Sequence, residues 1–303
     1  MNTIPIIDFQ AFNTGDEASR LAIADAVHKA ASEVGFMYVK NLAIDDAMIA
    51  EAFRSSADFF SLPTEQKNRC AYRPELNHGY QAIGGQRLDS GKHPDLKETM
   101  TMRNVPANSD HAELWPSAEF TRTANSMFTA CLDGVNQVME AFAIALKLPL
   151  NFFRESHLGE NIALRYLHYP VITGEIGDQE MGAGAHTDFG TVTLLFQDDV
   201  GGLEVEGVDG IWQPAPYIPD TIVVNTGDLM ARWTNERYRS TPHRVQPMRA
   251  SKNRYSIAFF ADPDSATPIS VLPSCYDENG QAKFPDTTAG EHIAEKLAES
   301  HKL

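Results

Sequence analysis

The sequence predicts an α+β protein in which an N-terminal α/β region and one long helix precede a β-rich half built as a sandwich or barrel. Three observations carry this. The first third alternates short apolar runs with segments of helical period, and a 3.6-residue period then persists from about Ala118 to Leu148. After Pro149 come short β-branched and aromatic runs divided by Gly, Asp and Pro.

Taken in order, Ile4 to Phe9 reads as a strand. Thr14 with Glu17 forms a capping box for a helix whose apolar face runs Leu21, Ala24, Val27, Ala31, Val34, and Gly35 closes that helix. Phe36 to Val39 is a compact strand, followed by a helix from about Asp45 to Phe60 and a turn at Leu62-Pro63-Thr64. Asn77 to Pro94, rich in Gly, His and Asn, reads as a functional loop. In the long helix Phe128, Cys131, Val135, Val138, Phe142 and Ala145 recur at spacings of three and four, which suits a spine for the whole molecule.

Strands are then expected at Ile162 to Tyr169, Thr191 to Phe196, Leu203 to Val205, Ile222 to Asn225 and Tyr255 to Phe260. The turns between them fall at Gly201-Gly202, Asp209-Gly210, Pro219-Asp220 and Gly227-Asp228. The divisions predicted are 1–105, an N-terminal region; 106–157, the helical spine; 158–265, the β-rich core; and 266–303, a C-terminal segment. No repeat or low-complexity linker separates them, so they are expected to pack as one body.

With 303 residues and 43% apolar content the chain fits an ordinary soluble globular protein. Its 41 acidic against 25 basic residues give a net charge of -16, a surface that repels nucleic acid and anionic membrane. Three scattered cysteines, Cys70, Cys131 and Cys275, form neither a disulfide framework nor a thiolate zinc site, and a reducing cytoplasm is the expected home. No stretch has the length and apolarity of a membrane span, and Met1 to Gln10 lacks the pattern of an export signal. No obligate protein partner is evident.

The chemistry concentrates in the β-rich half. His186-Thr187-Asp188 places two potential ligands at i and i+2, which an extended strand projects from one face. Alone, such a pair is most often a hydrogen-bonding pair. With His243 it becomes a two-imidazole, one-carboxylate set that would leave three positions open on an Fe(II) ion, room for a bidentate co-substrate and dioxygen. Pro242 keeps His243 off a helical path, and Arg254 and Ser256 again share a face, a guanidinium and a hydroxyl suited to clamp a carboxylate.

Five strings occur in order: Gly184-Ala185-His186-Thr187-Asp188-Phe189-Gly190, Gln197-Asp198-Asp199-Val200-Gly201-Gly202-Leu203, Val224-Asn225-Thr226-Gly227-Asp228, Ser240-Thr241-Pro242-His243-Arg244-Val245 and Arg254-Tyr255-Ser256. Together they resemble the isopenicillin N synthase-like family of Fe(II)/2-oxoglutarate oxygenases. Ile4-Pro5-Ile6-Ile7-Asp8-Phe9 and Gly35-Phe36-Met37-Tyr38-Val39 extend the likeness over most of the chain. The resemblance implies a double-stranded β-helix, or jelly roll, embraced by helices. It implies iron ligands at His186, Asp188 and His243, and an anchor at Arg254 and Ser256 for the distal carboxylate of 2-oxoglutarate. Tyr169, in Leu167-His168-Tyr169-Pro170, matches a tyrosine that also reaches the co-substrate, although this chain has Leu167 where plant members carry Asn.

The activity so implied is oxidation of a small-molecule metabolite by dioxygen, by hydroxylation, desaturation or cyclisation, with 2-oxoglutarate decarboxylated to succinate and CO2. The family also includes oxidases that use no 2-oxoglutarate and an ethylene-forming enzyme that fragments it, and a binding module that merely kept the fold is the remaining alternative. For the substrate, His78, Tyr80, Arg87 and Arg165 are the candidates, the first two because they lie in the glycine-rich loop. Gly84-Gly85 precedes no phosphate-binding helix pattern.

Overall fold

The computed structural model describes residues 3–86, 93–172, 177, 180–247 and 252–300. Along the chain lie β1 (Ile6–Asp8), α1 (Gln10–Thr14), α2 (Glu17–Glu33), β2 (Phe36–Lys40), α3 (Asp46–Ser61), α4 (Thr64–Lys67), β3 (His78–Gln81), β4 (Glu98–Arg103), α5 (Val105–Asn108) and α6 (Ala118–Ala145). There follow β5 (Ala163–Tyr169), β6 (Ala183–His186), β7 (Val192–Gln197), β8 (Leu203–Glu206), β9 (Trp212–Pro214), β10 (Ile222–Thr226), α7 (Asp228–Trp233), β11 (His243–Val245) and β12 (Arg254–Ala261). A two-strand ladder, β13 (Pro268–Ile269) with β14 (Thr287–Thr288), and α8 (Ala289–Ser300) complete the chain.

Two sheets form the jelly roll. The major one has eight strands in the order β1-β2-β10-β7-β12-β5-β4-β3, the minor one four in the order β6-β11-β8-β9. The N-terminal strands extend both ends of the major sheet, so the N-terminal region and the jelly roll share one ladder. Alternation along each central strand divides the side chains between two apolar clusters. Met37, Val39, Leu164, Tyr166, Leu194, Phe196, Ile257 and Phe259 pack under the helices, while Phe36, Tyr38, Leu167, Tyr169, Val223 and Ala258 pack toward the minor sheet.

The spine is α6, capped where Ser117 Oγ accepts from the Phe120 amide at 3.1 Å. Its buried face carries Phe128 edge-on against Phe259 of β12 and Phe142 against Tyr238, each burial contributing about 2 kcal/mol. No helix among the described residues is long and apolar enough to cross a membrane.

Four local expectations are corrected. The cap of α2 is Asp16, whose carboxylate accepts from the Ser19 amide at 2.9 Å; Thr14 ends α1 and donates to the Gln10 carbonyl. Leu21, expected in the apolar face of α2, is 48% exposed. The segment read as a loop from Asn77 contains β3, which pairs with β4. Gly227-Asp228, read as a turn, opens α7.

Gly35 ends α2 in the left-handed region at φ 76°, its amide bonded to the Ala30 carbonyl. A Cβ there would lie 2.5 Å from Thr241 Oγ1 and 2.8 Å from the Arg239 carbonyl oxygen. Gly35→Ala is therefore expected to lose roughly 1–3 kcal/mol of stability. Urea unfolding measures this as a lower midpoint at unchanged slope; an unchanged midpoint would show that the segment before His243 yields freely.

Candidate metal centre

The minor sheet brings two histidines together that are far apart in the chain. His186 ends β6 and His243 begins β11, and the antiparallel register sets them directly opposite. Their rings lie 4.4 Å apart between centroids, and Phe36 of the major sheet packs edge-on against His243 at 5.4 Å. Asp188 follows in the loop just past β6, on the same side. One ligand atom from each of the three lies within 4.8 Å of the others.

Asp188 is tied to the major sheet. Its Oδ2 accepts from Thr193 Oγ1 of β7 at 2.6 Å and from Asn225 Nδ2 of β10 at 2.7 Å, while Oδ1 lies 3.8 Å from His243 Nε2. The backbone of the loop is gripped by the start of α7. The Asp228 amide donates to the Asp188 carbonyl at 2.8 Å, and the Leu229 amide to those of Phe189 and Gly190. A glycine is needed at 227, because a Cβ there would come 2.7 Å from the Asp188 carbonyl and 2.5 Å from that of Gly190.

The hydrogen bonds also settle how the imidazoles are protonated. His186 Nδ1 lies 2.7 Å from the Gly184 carbonyl and His243 Nδ1 lies 3.2 Å from that of Thr241. A carbonyl only accepts, so each Nδ1 carries a proton, which leaves Nε2 as the nitrogen turned to the centre. Burial pushes the His186 pKa down to about 3, reinforced by His243, which keeps the ring neutral. Burial alone would raise the Asp188 carboxyl, but the two histidines and the bonds from Asn225 and Thr193 carry it below its ordinary value. Two imidazoles and a carboxylate are a donor set that fits a divalent transition metal.

The candidate carboxylate clamp is built around one buried arginine. Arg254, 1% exposed, opens β12 opposite Tyr169 of β5, and its guanidinium lies 4.7 Å from the centre of the Tyr169 ring. Nε donates to the Gly201 carbonyl at 2.7 Å, Nη1 to Ser256 Oγ at 3.1 Å and Nη2 to Gln197 Oε1 at 3.3 Å. These bonds fix the plane of the guanidinium before any ligand arrives. Burial raises the Tyr169 phenol, so it stays protonated and able to donate.

The other candidates divide. Arg165 of β5 lies on the interior face, its Nε on Thr101 Oγ1 at 2.9 Å, its guanidinium 5.3 Å from the Phe260 ring centre and within reach of the charge of Asp188. His78 and Tyr80 are not brought to the site. The register pairs them with Met102 and Met100, which face the helices, so they point away from the triad. His78 is fully buried 4.7 Å from Trp115, its pKa pushed down to about 4 by burial, and the Tyr80 hydroxyl donates to the Glu98 carboxylate. Arg87 lies outside the described residues. Sequence reasoning missed Thr193 and Gln197 and the role of Asn225, although the last two lie within quoted strings; Gln197 opens one and Asn225 stands in Val224-Asn225-Thr226.

A family profile described as the 2OG-Fe(II) oxygenase superfamily matches residues 159–263, and one described as the non-haem dioxygenase in morphine synthesis N-terminal region matches 4–118. Proline hydroxylase buaE of Petromyces alliaceus is 31% identical, covering 97% of this chain and 98% of its own. The 2-oxoglutarate-Fe(II) type oxidoreductase hxnY of Emericella nidulans is 30% identical over 98% of this chain and 90% of its own. A full-length Neurospora crassa protein, solved in complex with alpha-KG, is similar in structure with a TM-score of 0.89 and 34% identity, covering 98% of this chain and 96% of that one. A second structure of the same Neurospora protein holds thymine as well.

Asn225→Ala or Thr193→Val removes one donor to Asp188 Oδ2 without touching a ligand atom. Divalent-metal affinity is expected to fall by about tenfold to a hundredfold while the fold persists. Titration with Mn(II) under circular dichroism control reads this directly. Affinity unchanged in both variants would mean that these bonds do not orient the carboxylate.

Proposed function

The chain belongs to the 2OG-Fe(II) oxygenase superfamily, and from that premise we propose that His186, Asp188 and His243 hold its Fe(II) while Arg254, Ser256 and Tyr169 hold its 2-oxoglutarate. It is an Fe(II)- and 2-oxoglutarate-dependent oxygenase, which uses dioxygen to oxidise a small molecule as 2-oxoglutarate is converted to succinate and CO2. The observation that carries the residue assignment is the cross-strand meeting of His186 with His243 beside Asp188, each imidazole committed through Nδ1 to a main-chain carbonyl.

Bound iron supplies the oxygen-activating chemistry, and the protein's part is to position and to exclude. Asn225 and Thr193 hold Asp188 with one oxygen free. Gln197, Ser256 and the Gly201 carbonyl fix the Arg254 guanidinium, whose remaining N–H groups are ready for a carboxylate. The apolar residues Leu167, Leu203, Val205, Val223 and Val245 keep bulk water from the space between the sheets. We assign the primary substrate to the small hydrophilic or amphipathic metabolites, with Arg165 contacting one of its polar groups. Supporting this, the Neurospora crassa protein was solved with thymine and buaE is named a proline hydroxylase. The net charge of -16 argues against nucleic acid or anionic membrane as partner, and the buried thiols of Cys70, Cys131 and Cys275 support a reducing, cytoplasmic setting.

Succinate release under a panel of small metabolites, with Fe(II) and 2-oxoglutarate present, tests the function. His243→Ala is expected to abolish stimulated release and to weaken metal binding in a folded protein; wild-type turnover in that variant would displace His243 from the ligand set. Arg254→Gln is expected to raise the 2-oxoglutarate requirement by about tenfold to a hundredfold, and Arg254→Lys by less, since lysine keeps the charge and loses the fork. Equal 2-oxoglutarate dependence in all three proteins would place the clamp elsewhere.

A further inference from the structure

Lys97 stands one residue ahead of β4. Because Glu98 pairs with His168, Lys97 comes abreast of Tyr169, which is itself opposite Arg254. Alternation turns Glu98, Met100 and Met102 toward the helices, and therefore Lys97, Thr99 and Thr101 toward the space between the sheets. The Lys97 side chain is 2% exposed, and its ammonium makes one bond among the described residues, to Asp95 Oδ2 at 2.6 Å.

An ammonium has three N–H donors, so two of them lack an acceptor among the described residues, in a place closed to bulk water. The position is built. Asp95 Oδ1 accepts from the Gly184 amide at 3.0 Å, and the Leu96 amide donates to the Met181 carbonyl at 2.9 Å, which docks this segment on the approach to His186. The Lys97 charge is felt by His186 on one side, and Lys97 feels that of Arg165 on another. Lys97, Arg165 and Arg254 thus converge on one interior. Asp95 offsets one of these three charges, and the two that remain on the same interior favour an incoming anion.

We propose that Lys97 is a further co-substrate-binding residue, its ammonium donating to a carboxylate oxygen of 2-oxoglutarate between the metal ligands and Arg254. This rests on the assignment of Arg254 as the co-substrate's clamp. A carboxylate on the primary substrate would offer the same chemistry, so the test omits that substrate.

The full chain, loaded with Mn(II), is titrated with 2-oxoglutarate by calorimetry, and the metal-free chain is titrated with Mn(II) separately. Lys97→Met should raise the 2-oxoglutarate dissociation constant about tenfold or more, with Mn(II) affinity held within about threefold, and Lys97→Arg should recover part of the loss. The double variant Asp95→Asn/Lys97→Met leaves no unpaired buried carboxylate and is expected to show the same loss if the single variant folds poorly. Unchanged 2-oxoglutarate affinity in the Lys97 variants, with Arg254→Gln weakened, overturns the proposal alone. Loss of Mn(II) affinity in step with 2-oxoglutarate also overturns it, and assigns Lys97 a structural role through Asp95 and Gly184. Arg254→Gln without effect removes the clamp assignment and this inference together.

Discussion

The hydrogen bonds that Thr193 and Asn225 make to Asp188 are the constraint on which the candidate centre depends, because they join the two sheets at Asp188. His186 and His243 belong to the minor sheet and are aligned by its ladder. Asp188 has left that ladder, and without partners from β7 and β10 its carboxylate would be free to turn into solvent. The two donors come from neighbouring strands in register, Asn225 opposite Thr193, so the major sheet offers a ready-made pair. The grip of α7 on the Asp188 carbonyl adds a second tether from the same side of the chain.

The same logic extends to the proposed clamp. Arg254 is held by Gly201, Ser256 and Gln197, and Gln197 lies opposite Ser256 in the β7 to β12 ladder. His186, His243 and Arg254 therefore sit on strands fixed by the apolar core, and Asp188 is tied to those strands by its hydrogen bonds. Rigidity of this kind places reactive groups without a rearrangement when ligands bind.

Much of this was legible in the sequence because the decisive signals are local. His186 with Asp188, and Arg254 with Ser256, are each two residues apart, and a strand puts such pairs on one face whatever the rest of the chain does. The partners of Asp188 were not legible in that way: Asn225 is 37 residues distant and meets it only through the fold. His78 and Tyr80 failed for a related reason. A strand's period says that alternate residues share a face, but which face looks inward is decided by pairing with β4, and nothing within Asn77 to Pro94 encodes that. The cap of α2 moved from Thr14 to Asp16 since both are capping types and only the short helix α1 decides between them. At Gly227-Asp228 the six residues of α7 are too few to display a helical period.

Strand β4 divides its labour by parity. Its even-numbered residues, Glu98, Met100 and Met102, serve the helical layer, whereas Thr99 and Thr101 border the reactive space. The two faces thus carry separate duties, one in the core beneath the helices and one toward Arg165, which Thr101 holds through its hydroxyl. A strand so divided lets one face answer to the fold and the other to chemistry, because neighbouring residues along it never share a surface.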